Sequence, residues 1–175
     1  MSILRLKWFL SRKKLEFFLE KRKKLKNSCF PSYKIKLLPA SVCLYLTNLS
    51  GACYRCLCFV STECDLSHGC TAGYCGPFNI SRVYWVDAGK VTLPDDDPER
   101  NHAWSDCARS YHCAIRIIEG YLQKFGKDCN GDGVTDCYDY MMVNGNGGYG
   151  CTPPLNRSVN GRKWLQRYDR CKITL

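Results

Sequence analysis

Twelve of the fourteen cysteines lie between Cys53 and Leu175, about one residue in ten over that stretch. This density belongs to a disulfide scaffold made in an oxidising compartment, where bridges supplement a core too small to hold the chain alone. Twelve is even, so six bridges close with no thiol left over. Structural zinc is the weaker reading. Cys53-Tyr-Arg-Cys56 has no second CxxC at ribbon spacing, and His68, His102 and His112 show no ligand spacing.

Charge divides the chain at the same place. The net charge is +10. Residues 1–52 hold twelve Lys/Arg against Glu16 and Glu20, and residues 53–175 hold fourteen basic against fourteen acidic residues. A basic total invites a nucleic-acid reading, but the excess lies wholly in the leader, so no nucleic-acid partner is expected of the body. Residues 37–49 (LLPASVCLYLTNL) form a short apolar run preceded by Lys34 and Lys36 and followed by Ser50-Gly51-Ala52. That is a secretory signal pattern with cleavage after Ala52, and it predicts a secreted, extracellular body of residues 53–175. Residues 3–26 suit a basic amphipathic helix at a membrane surface; a gene start placed too far upstream explains residues 1–33 equally well. An uncleaved leader is the only route to a membrane, since no run approaches the ~20 apolar residues of an uninterrupted span.

Within the body, residues 54–62 suit one or two helical turns. Residues 78–80 and 83–86 are β-rich and predict a short hairpin, and residues 91–101 read as a solvated acidic loop. Ala114, Ile117, Ile118, Tyr121, Leu122 and Phe125 recur at helical spacing and predict a helix over 108–126. Thr135 is the expected cap of a helix to about Val143, and Ser158 of a last helix carrying Trp164, Leu165 and Tyr168. The expected class is a small, mainly helical, disulfide-rich α+β domain with a short β-hairpin, and a monomer.

Cys53-Tyr-Arg-Cys56-Leu-Cys58, Cys75-Gly-Pro-Phe-Asn-Ile80, Tyr84-Trp-Val-Asp-Ala-Gly89, Trp104-Ser-Asp-Cys107 and Asn146-Gly-Gly-Tyr-Gly-Cys151 occur in that order. Over roughly residues 53–171 the chain therefore resembles the invertebrate-type lysozymes, or destabilases. The resemblance implies a lysozyme-like fold, hydrolysis of peptidoglycan β-1,4 bonds, peptidoglycan or a related glycan as partner, and no required cofactor. It also implies the pairs Cys58–Cys64, Cys70–Cys75 and Cys107–Cys113, and less surely Cys53–Cys137, Cys56–Cys171 and Cys129–Cys151.

Lysozyme chemistry needs a protonated carboxyl at the leaving oxygen and a second carboxylate across the sugar. The family's acid falls on Ser61, and its second carboxylate falls in a loop that here is only Thr71-Ala-Gly-Tyr74. Glu63 and Asp65 are weak substitutes, as is Asp87. The isopeptidase activity ascribed to some members fares no better, because the Lys following the Trp aligns with Ser105 and the His before Asn-Gly-Gly with Gly145. The expectation is a family member weak or inactive as a hydrolase; the alternative is a glycan-binding or structural secreted module. Tyr84, Trp85 and Asn146 are candidate substrate contacts.

Counting Asp128 as position 1, oxygen side chains fall at Asp128, Asn130, Asp132, Asp136 and Asp139, with Gly133 at the sharp turn and the Val134 carbonyl at position 7. This matches an EF-hand-type loop and predicts a structural calcium ion; a solvated Asp/Gly turn clipped by Cys129 and Cys137 is the competing reading. Asn156-Arg-Ser158 and Asn79-Ile-Ser81 are glycosylation sequons, the second set in a predicted strand.

Overall fold

The computed structural model describes residues 46, 48–151 and 155–175. The predicted amphipathic segment 3–26 and most of the 37–49 apolar run lie outside the described residues. No described helix is long and apolar enough to cross a membrane.

The first helix, α1 (Gly51–Thr62), starts where the Ser50 hydroxyl accepts the Cys53 N–H at 3.2 Å, and ends at Glu63, whose φ of 58° breaks the helical path. It is longer than the one or two turns expected. Cys53, Cys56, Leu57 and Val60 bury one face at i, i+3, i+4 and i+7. The Asn48 side chain also donates to the Thr135 carbonyl at 3.2 Å, so the residues just before α1 contact a segment 87 positions later in the sequence.

A three-stranded antiparallel sheet follows: β1 (Cys70–Thr71), β2 (Tyr74–Cys75) and β3 (Ile80–Ser81), with Cys70 opposite Cys75 and Cys75 opposite Ile80. Ala72 and Gly73, at φ 51° and 83°, make the tight β1–β2 turn. Gly76 also has positive φ, and a Cβ there would overlap the Ala108 carbonyl, so only glycine lets the sheet approach the next helices.

The hairpin predicted from residues 78–80 and 83–86 does not form. Residues 82–87 are a short helix, α2 (Arg82–Asp87), because the Ser81 hydroxyl accepts the Tyr84 N–H and caps it. The apolar pattern misled because a helix buries Trp85 (2% exposed) while turning Val83 (73%) and Val86 (47%) to solvent. The helix expected over 108–126 is α4 (Tyr111–Phe125); residues 108 and 109 instead close a preceding helix, α3 (Ala103–Arg109), and the two are separated at Ser110, whose backbone is extended. The central α4 buries Cys113, Ala114, Ile117, Ile118, Tyr121 and Leu122 against Leu57, Val60, Met141 and Val143.

Helix α5 (Cys137–Asn146) is capped by Asp136, not by Thr135. Asp136 accepts the Tyr138 N–H at 2.9 Å, while the Asp139 carboxylate reaches back to the Asp136 N–H at 2.8 Å. The other Asp139 oxygen accepts the Cys129 N–H at 2.7 Å, and the side chain is fully buried. Helix α6 (Val159–Cys171) opens at Ser158, whose hydroxyl accepts the Gly161 N–H at 2.9 Å. Six disulfides close the domain: Cys53–Cys137, Cys56–Cys171, Cys58–Cys64, Cys70–Cys75, Cys107–Cys113 and Cys129–Cys151.

Two substitutions test these caps by denaturant unfolding with the bridges intact. Asp139→Ala strands two backbone donors and should cost about 2–3 kcal/mol. Ser50→Ala should cost about 1 kcal/mol, although Ser50 precedes the expected cleavage point. Unchanged midpoints in both would contradict the capping scheme.

Candidate functional site

Ser61, the position to which the resemblance assigns the family's acid, lies in the last turn of α1. There the Ser61 hydroxyl donates to the Leu57 carbonyl at 2.8 Å, and the Thr62 hydroxyl donates to the Pro77 carbonyl at 2.6 Å, tying the helix end to the sheet. Arg167, from α6, closes over this end. Its guanidinium donates to the Val60 and Ser61 carbonyls at 3.2 and 3.3 Å and to Glu63 Oε1 at 3.2 and 3.0 Å. These contacts satisfy carbonyls that a helix C-terminus leaves open. They also engage the nearest carboxylate as an ion-pair partner.

Glu63 is therefore not on the far face of the helix, as two further helical steps would place it. It lies beyond the helix end, in a left-handed conformation, paired with Arg167. Asp65 accepts both the hydroxyl and the backbone N–H of Ser67, at 2.6 and 2.9 Å. The Ser67 hydroxyl above all, and then its N–H, hold that carboxyl below the usual carboxylate range. A general acid needs the opposite shift, produced by burial. Asp87 pairs with Lys124 at 2.7 Å. Asp96 and Asp128 are likewise held below the usual carboxylate range, by the Arg100 guanidinium and by backbone N–H groups respectively. Residues 71–74 form the tight β1–β2 turn and bring no carboxylate opposite Ser61. The Ser105 hydroxyl donates to the His102 carbonyl at 3.0 Å, and Gly145 lies near the end of α5.

Of the candidate sugar contacts, Trp85 is corrected. It is 2% exposed and its indole N–H donates to the Val91 carbonyl at 2.6 Å, so it offers no face to a ligand. Tyr84 stacks on Tyr121 with ring centroids 3.7 Å apart and donates its hydroxyl to Asn144 Oδ1 at 2.9 Å. Burial pushes its pKa well above the ordinary tyrosine value. Asn146 donates to the Met142 carbonyl at 2.9 Å, and its buried Oδ1 has no partner among the described residues.

The ring series Tyr84–Tyr121 continues through Phe125 to Tyr149, which meets Phe125 edge-on and is 91% exposed. Tyr149 is a lone aromatic in a glycine-rich turn. Shallow depressions indent the surface of the described residues. One, of about 340 Å³, is lined by Leu66, Ser67, His68, Asp106, Arg109 and Ser110. Another, of about 350 Å³, lies beside α2 and touches the edge of Trp85. Ser61 lines neither.

In the loop over residues 128–139, the carboxylate oxygens face backbone donors. Asp128 accepts the Gly131 and Gly133 N–H groups at 2.7 and 2.8 Å, with Gly133 the larger cause of its lowered pKa. Asp132 accepts the Val134 N–H at 2.8 Å and the Asn130 amide at 2.8 Å. With Asp136 and Asp139 forming the α5 cap, no group of three or more His, Cys, Asp or Glu side chains among the described residues is arranged to hold a metal ion. Both sequon asparagines are exposed; Asn79 lies in a left-handed turn before β3, not in a strand.

The Destabilase family model matches residues 50–171. A lysozyme of Ostrea edulis is 32% identical over 128 residues, covering 67% of this chain and 84% of that one. Invertebrate-type lysozyme 3 of Caenorhabditis elegans is 31% identical over 107 residues, 58% of this chain and 75% of its own length. The crystal structure of Tapes japonica lysozyme matches with a TM-score of 0.51 at 20% identity, covering 71% of this chain and 92% of that one. A chain of the crystal structure of Aeromonas hydrophila PliI in complex with Meretrix lusoria lysozyme matches with a TM-score of 0.50 at 20% identity, covering 72% and 93%. The structural matches support the fold, and the family model spans most of the described body: the chain belongs to the Destabilase family, the invertebrate-type lysozymes.

Proposed function

We propose that this chain is a secreted, non-hydrolytic member of the invertebrate-type lysozyme family that binds peptidoglycan or a related glycan. The observation that carries the reading is Ser61. A hydroxyl whose hydrogen already lies on the Leu57 carbonyl cannot protonate a glycosidic oxygen at neutral pH. None of the candidate carboxyls replaces it. Glu63 is paired with Arg167, Asp87 with Lys124, and Asp65 is held in the ionised form by Ser67. A glycan site needs no such acid, so the retained fold is compatible with binding. Secretion is supported by six disulfides among the described residues and by the signal pattern around residues 37–52.

Insoluble peptidoglycan tests both halves. The oxidised protein should sediment with it and leave the turbidity of a suspension unchanged. Clearing at a lysozyme-like rate would overturn the loss of catalysis, and failure to sediment would overturn the binding role.

The loop over residues 128–136 acts in this account as a disulfide-clamped cap that needs no calcium. Calorimetric titration with calcium should give no saturable heat for the protein or for Asp132→Ala. Saturable binding lost in Asp132→Ala would restore the calcium reading. The loop should instead respond to acid. The Asp128 carboxyl lies below its unfolded value, so its contribution is present above that value and is lost as pH falls through the folded pKa. The amide resonances of Gly131 and Gly133 should move together below the usual carboxylate range, and pH-independent amides would contradict the bonds.

A further inference from the structure

The neutral total of residues 53–175 hides a segregation. Residues 155–175 carry six Lys/Arg against Asp169 alone, while residues 53–154 carry eight against thirteen acids. The structure collects the surplus on α6 and the turn before it. Asp169 is paired with Lys172 at 2.6 Å and Arg167 is engaged by Glu63. Arg157, Arg162, Lys163 and Arg170 are all exposed, and among the described residues none has an acidic partner.

We propose that the outward face of α6 is a binding surface for a soluble polymer of repeated phosphodiesters. Arg162, Gln166 and Arg170 stand one above another at four-residue intervals, with Lys163 beside them. Arg162 and Arg170 are about 12 Å apart along the axis. A single small anion cannot reach both, whereas a chain carrying successive phosphates can. Three of the four unpaired cations are guanidinium groups, whose planar fork matches phosphate oxygens better than an ammonium does.

The surface is held in place. Cys171 bridges to Cys56, the Arg170 guanidinium lies 5.2 Å from the Phe59 ring centroid, and Arg162 donates to the Asn156 carbonyl at 3.2 Å. Little order is then lost on binding. A lipid surface fits less well. The apolar side of α6, Trp164 and Tyr168, packs against the core, so the helix has no free apolar face to lay into a bilayer. This surface is independent of the glycan reading above.

The test uses the full chain, whose leader is itself basic, and therefore needs a local readout. Arginine modification by phenylglyoxal, mapped by mass spectrometry, is compared with and without a glycerol-phosphate oligomer. Arg157, Arg162 and Arg170 should be protected several-fold, Arg82 should not, and the protection should fade as salt is raised. In binding titrations of the full chain, an Arg162→Gln/Arg170→Gln double variant should lower the slope of log affinity against log salt by about 1.4, while Arg82→Gln leaves it unchanged. Protection confined to Arg5, Arg12 and Arg22 would overturn the proposal. So would equal protection at Arg82, or protection by phosphatidylglycerol vesicles but not by the oligomer.

Discussion

Helix α1 is the member to which the rest of the domain is fastened. Three of its cysteines leave in three directions: Cys53 to the start of α5, Cys56 to the end of α6, and Cys58 to Cys64 just past the helix end. The first two close very long loops, where a bridge removes most freedom from the unfolded chain, each contributing about 2–4 kcal/mol. Arg167 adds a polar tie at the same helix end. The buried face of α1 packs with α4 and α5 in one cluster, so the bridges and the apolar core reinforce one another.

That fastening makes a retained fold compatible with the proposed loss of hydrolysis. The elements that would position a catalytic pair, the end of α1 and the adjoining sheet, are fixed by covalent bonds and by the Thr62–Pro77 hydrogen bond. None of these depends on a carboxyl at position 61. The carboxylates that remain near the site serve the backbone or basic partners: Asp65 holds its turn and Glu63 holds Arg167. Removing or neutralising them should affect shape before it affects chemistry.

Much of this was legible in the sequence, for identifiable reasons. The α4 stripe and the Ser158 cap were readable because periodicity and capping are local. The even cysteine count announced a bridged body, whereas spacing alone leaves many pairings open. Residues 82–87 misled because two valines flanking a tryptophan read as a strand until the Ser81 cap decides for a helix. The break at Ser110 was invisible because apolar spacing continues across it. Trp85 shows the same limit in the site: residue type proposes a role, but burial decides it. Net charge was equally incomplete, since a total of zero said nothing of the basic face on α6.

The central claim is that a lysozyme-family fold here lacks a group able to protonate a glycosidic oxygen. Mass spectrometry of a soluble peptidoglycan fragment after prolonged incubation with the oxidised protein tests it most directly. The account predicts an unchanged fragment with no new reducing ends. Shorter saccharides that vanish when Glu63→Gln or Asp65→Asn is used instead would contradict it.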